Sequence, residues 1–189
     1  MNKLSEYRSG TRIISRIDIV AISKYGVLAV ECKSHTLHVL MKSKYGGGSL
    51  MGAYCELYLM DTTDLIEAVF RVVSEEDKWD FEKFTAGFMG CKYRRLIDTG
   101  SARAMNMAID EFISYLHKDC SDIFVEGKCE VDPLLALWIG GMYNRIQFYS
   151  CKPSYEIYNK LPLDRMIQLF EPLHTVSDDI AVEKLLNWL

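Results

Sequence analysis

The apolar residues of this chain come in short runs broken by charges, and none approaches the roughly 20 apolar residues needed to span a bilayer. A chain patterned this way buries its apolar side chains against one another rather than in lipid. The material is sufficient: of 189 residues, 49% are hydrophobic and 25% charged, the balance of a globular chain with a real core. That length suits one ordinary domain or two small ones. The first ten residues hold no apolar segment of the secretory kind, which predicts a cytoplasmic protein with no membrane attachment. The net charge of -4 allows nucleic acid to bind only through a local basic patch.

The six cysteines, Cys32, Cys55, Cys91, Cys120, Cys129 and Cys151, show no C-x-x-C spacing. The four histidines are equally scattered, so no Cys/His metal site is expected, and the thiols suit a reducing compartment.

Local patterning predicts an α+β fold: an antiparallel sheet with helices, in two small subdomains. Strands are expected at Ile13 to Ile22, Val27 to Val30, Thr36 to Met41 and Leu50 to Met60. Asp61-Thr62-Thr63-Asp64 can cap a helix whose stripe is Leu65, Ala68, Val69, Val72 and Val73, and a second helix runs from Trp79 toward Gly90. These elements form a subdomain over residues 1–92. The second subdomain, 93–189, opens with a strand at Arg95 to Asp98. A helix follows from Ala102 to His117, with Ile109 on its apolar face. Pro133 to Ile139 favours helix. Strands are expected at Ile123 to Val125, Asn144 to Tyr149 and Tyr155 to Tyr158, and helices at Leu163 to Phe170 and Asp178 to Leu189.

The run from Arg95 through Thr99-Gly100 to Asn106-Met107-Ala108-Ile109-Asp110-Glu111 resembles the opening of lipoate–protein ligases and octanoyltransferases, where a strand ending in Thr-Gly precedes an N-M-A-x-D-E helix. Ile146-Gln147-Phe148-Tyr149, Tyr155-Glu156-Ile157-Tyr158 and Leu163-Asp164 follow in the family's order. The resemblance implies a partial or accessory relative that handles a lipoyl or octanoyl group. ATP and lipoate would be its small molecules, and a lipoyl-acceptor protein or a complementary ligase subunit its partner. The family's R-R-x-T-G-G-G loop and lysine are absent in their usual order. Their counterparts as substrate-binding residues would be Gly46, Gly47, Gly48 and Lys128.

A different chemistry is readable near the start. Asp18 opens one expected strand and Glu31 closes the next, with Lys33 two residues on and a turn near Gly26. This hairpin resembles that of the restriction-endonuclease-like nucleases. It implies Mg²⁺ held by Asp18 and Glu31, water activation assisted by Lys33, and a nucleic acid substrate. A third reading is a non-catalytic interaction protein. Tyr143, Tyr149, Tyr155 and Tyr158 interleaved with Arg145, Lys152 and Lys160 offer a stacking surface for bases or, more simply, an amphipathic edge.

Overall fold

The computed structural model describes residues 52–189 and, as backbone only, two short strands, Val20–Ile22 (β1) and Leu28–Val30 (β2). The chain divides into two compact units, Met1–Lys42 and Ser43–Leu189. In the first, β1 and β2 pair antiparallel with Val20 opposite Val30. The second is helical. Its helices are α1 (Leu59–Glu75), α2 (Phe81–Gly90), α3 (Lys92–Asp98), α4 (Ala102–Met105), α5 (Ile109–Asp119), α6 (Pro133–Ser150), α7 (Ser154–Lys160), α8 (Leu163–Leu173) and α9 (Asp178–Leu186).

This corrects the α+β expectation. Residues 52–189 contain no strand; their one β-type contact is an isolated bridge between Trp79 and Glu126. The expected strand at Leu50 to Met60 is, from residue 52 onward, an irregular stretch, a single 3-10 turn at Glu56–Tyr58 and the start of α1. Arg95 to Asp98 is the second half of α3, Asn144 to Tyr149 lies inside α6, and Tyr155 to Tyr158 lies inside α7. Ile123 to Val125 closes a 3-10 turn and runs on without a strand. The helix expected from Ala102 to His117 is broken at Asn106, whose side-chain amide bonds back to the Ala102 carbonyl at 2.7 Å. The expected strand at Thr36 to Met41 lies outside the described residues. Helix α1 packs along α6, so residues on both sides of position 92 share contacts.

Local chemistry explains the helix limits. Asp132 caps α6 through the Leu134 amide at 2.8 Å, and Pro133 occupies the first turn, where its missing N–H costs nothing. The helix stops at Cys151, which adopts a left-handed conformation before Lys152-Pro153. Asp80 caps α2 through the Lys83 amide. Gly100 ends α3 at φ +75°; its N–H bonds to Ile97 and that of Ser101 to Leu96, the paired bonds of a glycine-terminated helix.

Helices α1 and α6 are the centre of the unit, and α6 also touches α7, α8 and α9. Phe70 of α1 meets Phe81, Phe84 and Phe88 of α2 edge to face, with centroids 5.5–5.8 Å apart. Burying a ring such as Phe70, which is wholly inaccessible, contributes about 1.5–3 kcal/mol. The close approach of α1 and α6 depends on Gly140: a Cβ there would lie 3.0 Å from the Ile66 carbonyl oxygen and 2.9 Å from the Phe70 ring.

Candidate functional site

The densest polar constellation lies where α3, α6 and α7 meet. Arg94 is fully buried. Its Nε donates to Ser154 Oγ at 2.6 Å and sits 3.1 Å from Asp98 Oδ1, one turn along the same helix. Its Nη1 donates to Asn144 Oδ1 at 3.0 Å. Ser154 holds Asp98 twice, through its hydroxyl to Oδ1 at 2.7 Å and its backbone N–H to Oδ2 at 2.8 Å. Asn144 passes the network on: its Nδ2 donates to Tyr54 Oη at 3.1 Å and to Thr63 Oγ1 at 3.0 Å. Thr63 in turn donates to the Leu59 carbonyl at 2.7 Å. The chain of bonds therefore ties α3 and α7 to α6, and α6 to the start of α1.

A buried guanidinium survives only if its charge is matched and its donors are satisfied. Asp98 supplies the charge, and Ser154 and Asn144 supply most of the acceptors. Arg94 Nη2 and Gln147 Oε1 are buried without a hydrogen-bond partner among the described residues. Burial pushes the Tyr54 phenol above its usual range, against the opposing pull of the Arg94 charge, so Tyr54 stays a neutral acceptor for Asn144. Among the described residues no histidine is hydrogen-bonded to Ser154. Its hydroxyl accepts from Arg94 and donates to Asp98, so it is committed to the network rather than poised as a nucleophile.

A second ionic group lies beside the next residue of α6. Arg145 Nη2 meets Asp178 of α9 at 2.9 Å, and Glu67 of α1 packs against the backbone of Gly141. Burial lifts the Glu67 carboxyl to about 7; Arg145 opposes the shift, while Asp64 and Asp178 add to it.

Of the site residues singled out from the sequence, the described structure includes Lys128 alone. Asp18, Glu31, Lys33 and Gly46 to Gly48 lie outside the described residues. Lys128 is exposed on the irregular segment between α5 and α6, where its nearest counter-charge is Glu130 at 4.0 Å. Asp110 and Glu111 are solvated in the first turn of α5, and Ile109 is the first residue of that helix and only partly buried; Phe112 and Leu116 carry its core face. Tyr143 is no stacking surface: it is wholly buried and donates to the Leu161 carbonyl at 2.6 Å. Among the described residues no group of three or more His, Cys, Asp or Glu side chains could hold a metal ion, and no helix is long and apolar enough to cross a membrane.

Sequence reasoning missed Arg94, Asn144 and Ser154. The one signal available was the i, i+4 spacing of Arg94 and Asp98 before a helix-ending glycine. Comparison of the chain with protein-family models, with curated proteins and with solved structures finds no match.

Proposed function

We propose that this chain is a non-catalytic interaction protein of a reducing compartment, the cytoplasm, in which polar chemistry holds helices together and apolar side chains are offered outward. An inversion of the usual placement supports this reading. Arg94, Asn144 and Ser154 are inaccessible, while Leu57, Met60 and Leu134 are 77%, 63% and 66% exposed. Leu57 lies in the 3-10 turn that leads into α1, and Met60 is the second residue of that helix.

Calorimetry with lipoyl-adenylate, beside a Mg²⁺- or Mn²⁺-dependent cleavage assay on DNA and RNA, tests the reading on the full chain. Neither should respond. Adenylate binding, or metal-dependent cleavage that disappears in Glu31→Ala, would overturn it. A positive arm uses Leu57→Asp and Met60→Asp. Each should leave the unfolding free energy within about 0.5 kcal/mol of the parent, because side chains held out for a partner do not hold the fold. A loss of several kcal/mol would place them in the core instead.

A further inference from the structure

One side of α1 joins apolar side chains to carboxylates that the helical unit leaves unpaired. Met60, Asp64 and Glu67 stand four and then three residues apart, so they form one stripe along the helix. Leu57 precedes the stripe in the 3-10 turn, and Asp61 lies beside its start; both are exposed, as are Met60 and Asp64. The stripe continues onto two neighbouring helices. Glu67 lies against the backbone of Gly141 in α6. One turn further along α6, Arg145 holds Asp178, the first residue of α9, at 2.9 Å. Asp179 follows it, also exposed.

Charge on this face is unbalanced. Among the described residues Arg145 pairs with Asp178, whereas the side chains of Asp61, Asp64, Glu67 and Asp179 have no hydrogen-bond or ion-pair partner. Glu67 registers the excess: burial is the main cause of its rise to about 7, and Asp64 and Asp178 raise it further against the pull of Arg145. Apolar side chains beside unpaired carboxylates repel an anionic ligand such as a nucleic acid. They suit a ligand that carries apolar groups and cations on one face.

We propose, on the reading of this chain as an interaction protein, that its partner is a cationic amphipathic helix of another protein docked on this face. Apolar side chains of that helix seat on Leu57 and Met60. Its lysine or arginine side chains, one and two turns further on, pair with Asp64, Glu67 and the carboxylates that open α9. A helix laid alongside α1 repeats at the same three- and four-residue spacing as the stripe. From Leu57 to Glu67 the stripe runs about 15 Å, so a ligand helix of about three turns covers it. The apolar contacts supply most of the affinity, and the carboxylates select the sign of the partner.

The experiment follows the fluorescence anisotropy of a labelled peptide of about 14 residues, with leucine on one helical face and lysine on the other. It is titrated with the full chain at pH 8, where Glu67 is ionised, in physiological salt. Saturable binding is expected. It should weaken about tenfold in the Leu57→Ala, Met60→Ala double variant and about three- to fivefold in Glu67→Gln. Glu130→Gln removes the same charge from the exposed segment between α5 and α6 and should bind like the parent. Urea unfolding checks that each variant is folded; Glu67→Gln, the more stable protein at this pH, keeps the test open if the double variant unfolds.

Equal weakening by Glu130→Gln would mean attraction to net negative charge rather than to this face, and would overturn the proposal. So would equally tight binding of a leucine–glutamate peptide, or no binding of the leucine–lysine peptide. Either result leaves the interaction-protein reading standing, because that reading fails on adenylate binding or metal-dependent cleavage instead. A chain that sediments as a dimer, and as a monomer in Leu57→Asp, would give the face to a second copy and overturn the proposal as well.

Discussion

Asn144 and Arg145 are consecutive residues of α6, and each serves a different arginine–aspartate pair. Asn144 supports Arg94–Asp98, whose N–O distance is 3.1 Å and whose side chains are 0% and 8% exposed. Arg145 forms the other pair with Asp178, at 2.9 Å but with exposures of 17% and 53%. The more exposed pair is the shorter. Distance therefore does not rank them; solvent does. Water screens Asp178 and can replace either partner, whereas nothing outside the protein reaches Arg94 if Asp98 is lost.

The largest expected effect breaks the buried pair. Asp98→Ala leaves an unmatched guanidinium and should cost about 3–5 kcal/mol in urea unfolding. If that variant unfolds like the parent, the contrast between the pairs collapses. The double variant Arg94→Met, Asp98→Leu sharpens it. Removing both charges should recover a substantial part of the loss, because the penalty lies in the orphaned charge more than in the missing bond.

A smaller effect tests the environment beside Arg145. Folding raises the Glu67 carboxyl from 4.5 to about 7, so between these values the folded protein keeps a proton that the unfolded chain has released. Stability from this group is present below about pH 4.5 and is lost as the pH rises through about 7. Glu67→Gln should remove that fall and be the more stable protein at pH 8, by about 1 kcal/mol once partial exposure is allowed for. An unchanged slope of unfolding free energy against pH would place the carboxylate in water. The smallest effect belongs to Asp178→Asn, expected to shift stability by no more than about 1 kcal/mol and less at high salt. A loss comparable to that of Asp98→Ala would mean that exposure does not separate the pairs.

The helices legible in the sequence were those with one apolar face. Leu65, Val69 and Val73 mark α1, and the stretch from Trp79 toward Gly90 holds α2. Helices α8 and α9, and the opening of α6 at Pro133, also lie where the spacing placed them. Asn144 to Tyr149 misled because α6 is buried on nearly every side there. Ile146 and Phe148 alternate with polar residues as in a strand, yet Asn144 and Gln147 are as deeply buried as they are. When the polar members of a helix also face inward, the 3.6-residue rhythm disappears. At Arg95 to Asp98 the error was one of punctuation: Thr99-Gly100 reads as a turn after a strand, but the glycine is the left-handed residue that ends α3. The polar centre was illegible for the same reason. Ser154 and Arg94 stand 60 positions apart, and only the packing of α7 on α3 brings them together.

Gly140 and its neighbour Gly141 also shape how the protein moves. In an exposed helix each glycine would give up about 1 kcal/mol relative to alanine. Here they let main chain meet main chain or side-chain stem, so the spacing of α1 and α6 is set by backbone that has no rotamers to exchange. The two helices form a stiff spine from which the shorter helices hang. Fluctuation should concentrate in those outer pieces, α9 among them, where Ile180 is exposed. Hydrogen exchange should follow that order, with amides around Ile66 and Gly140 opening last, only when the whole unit unfolds.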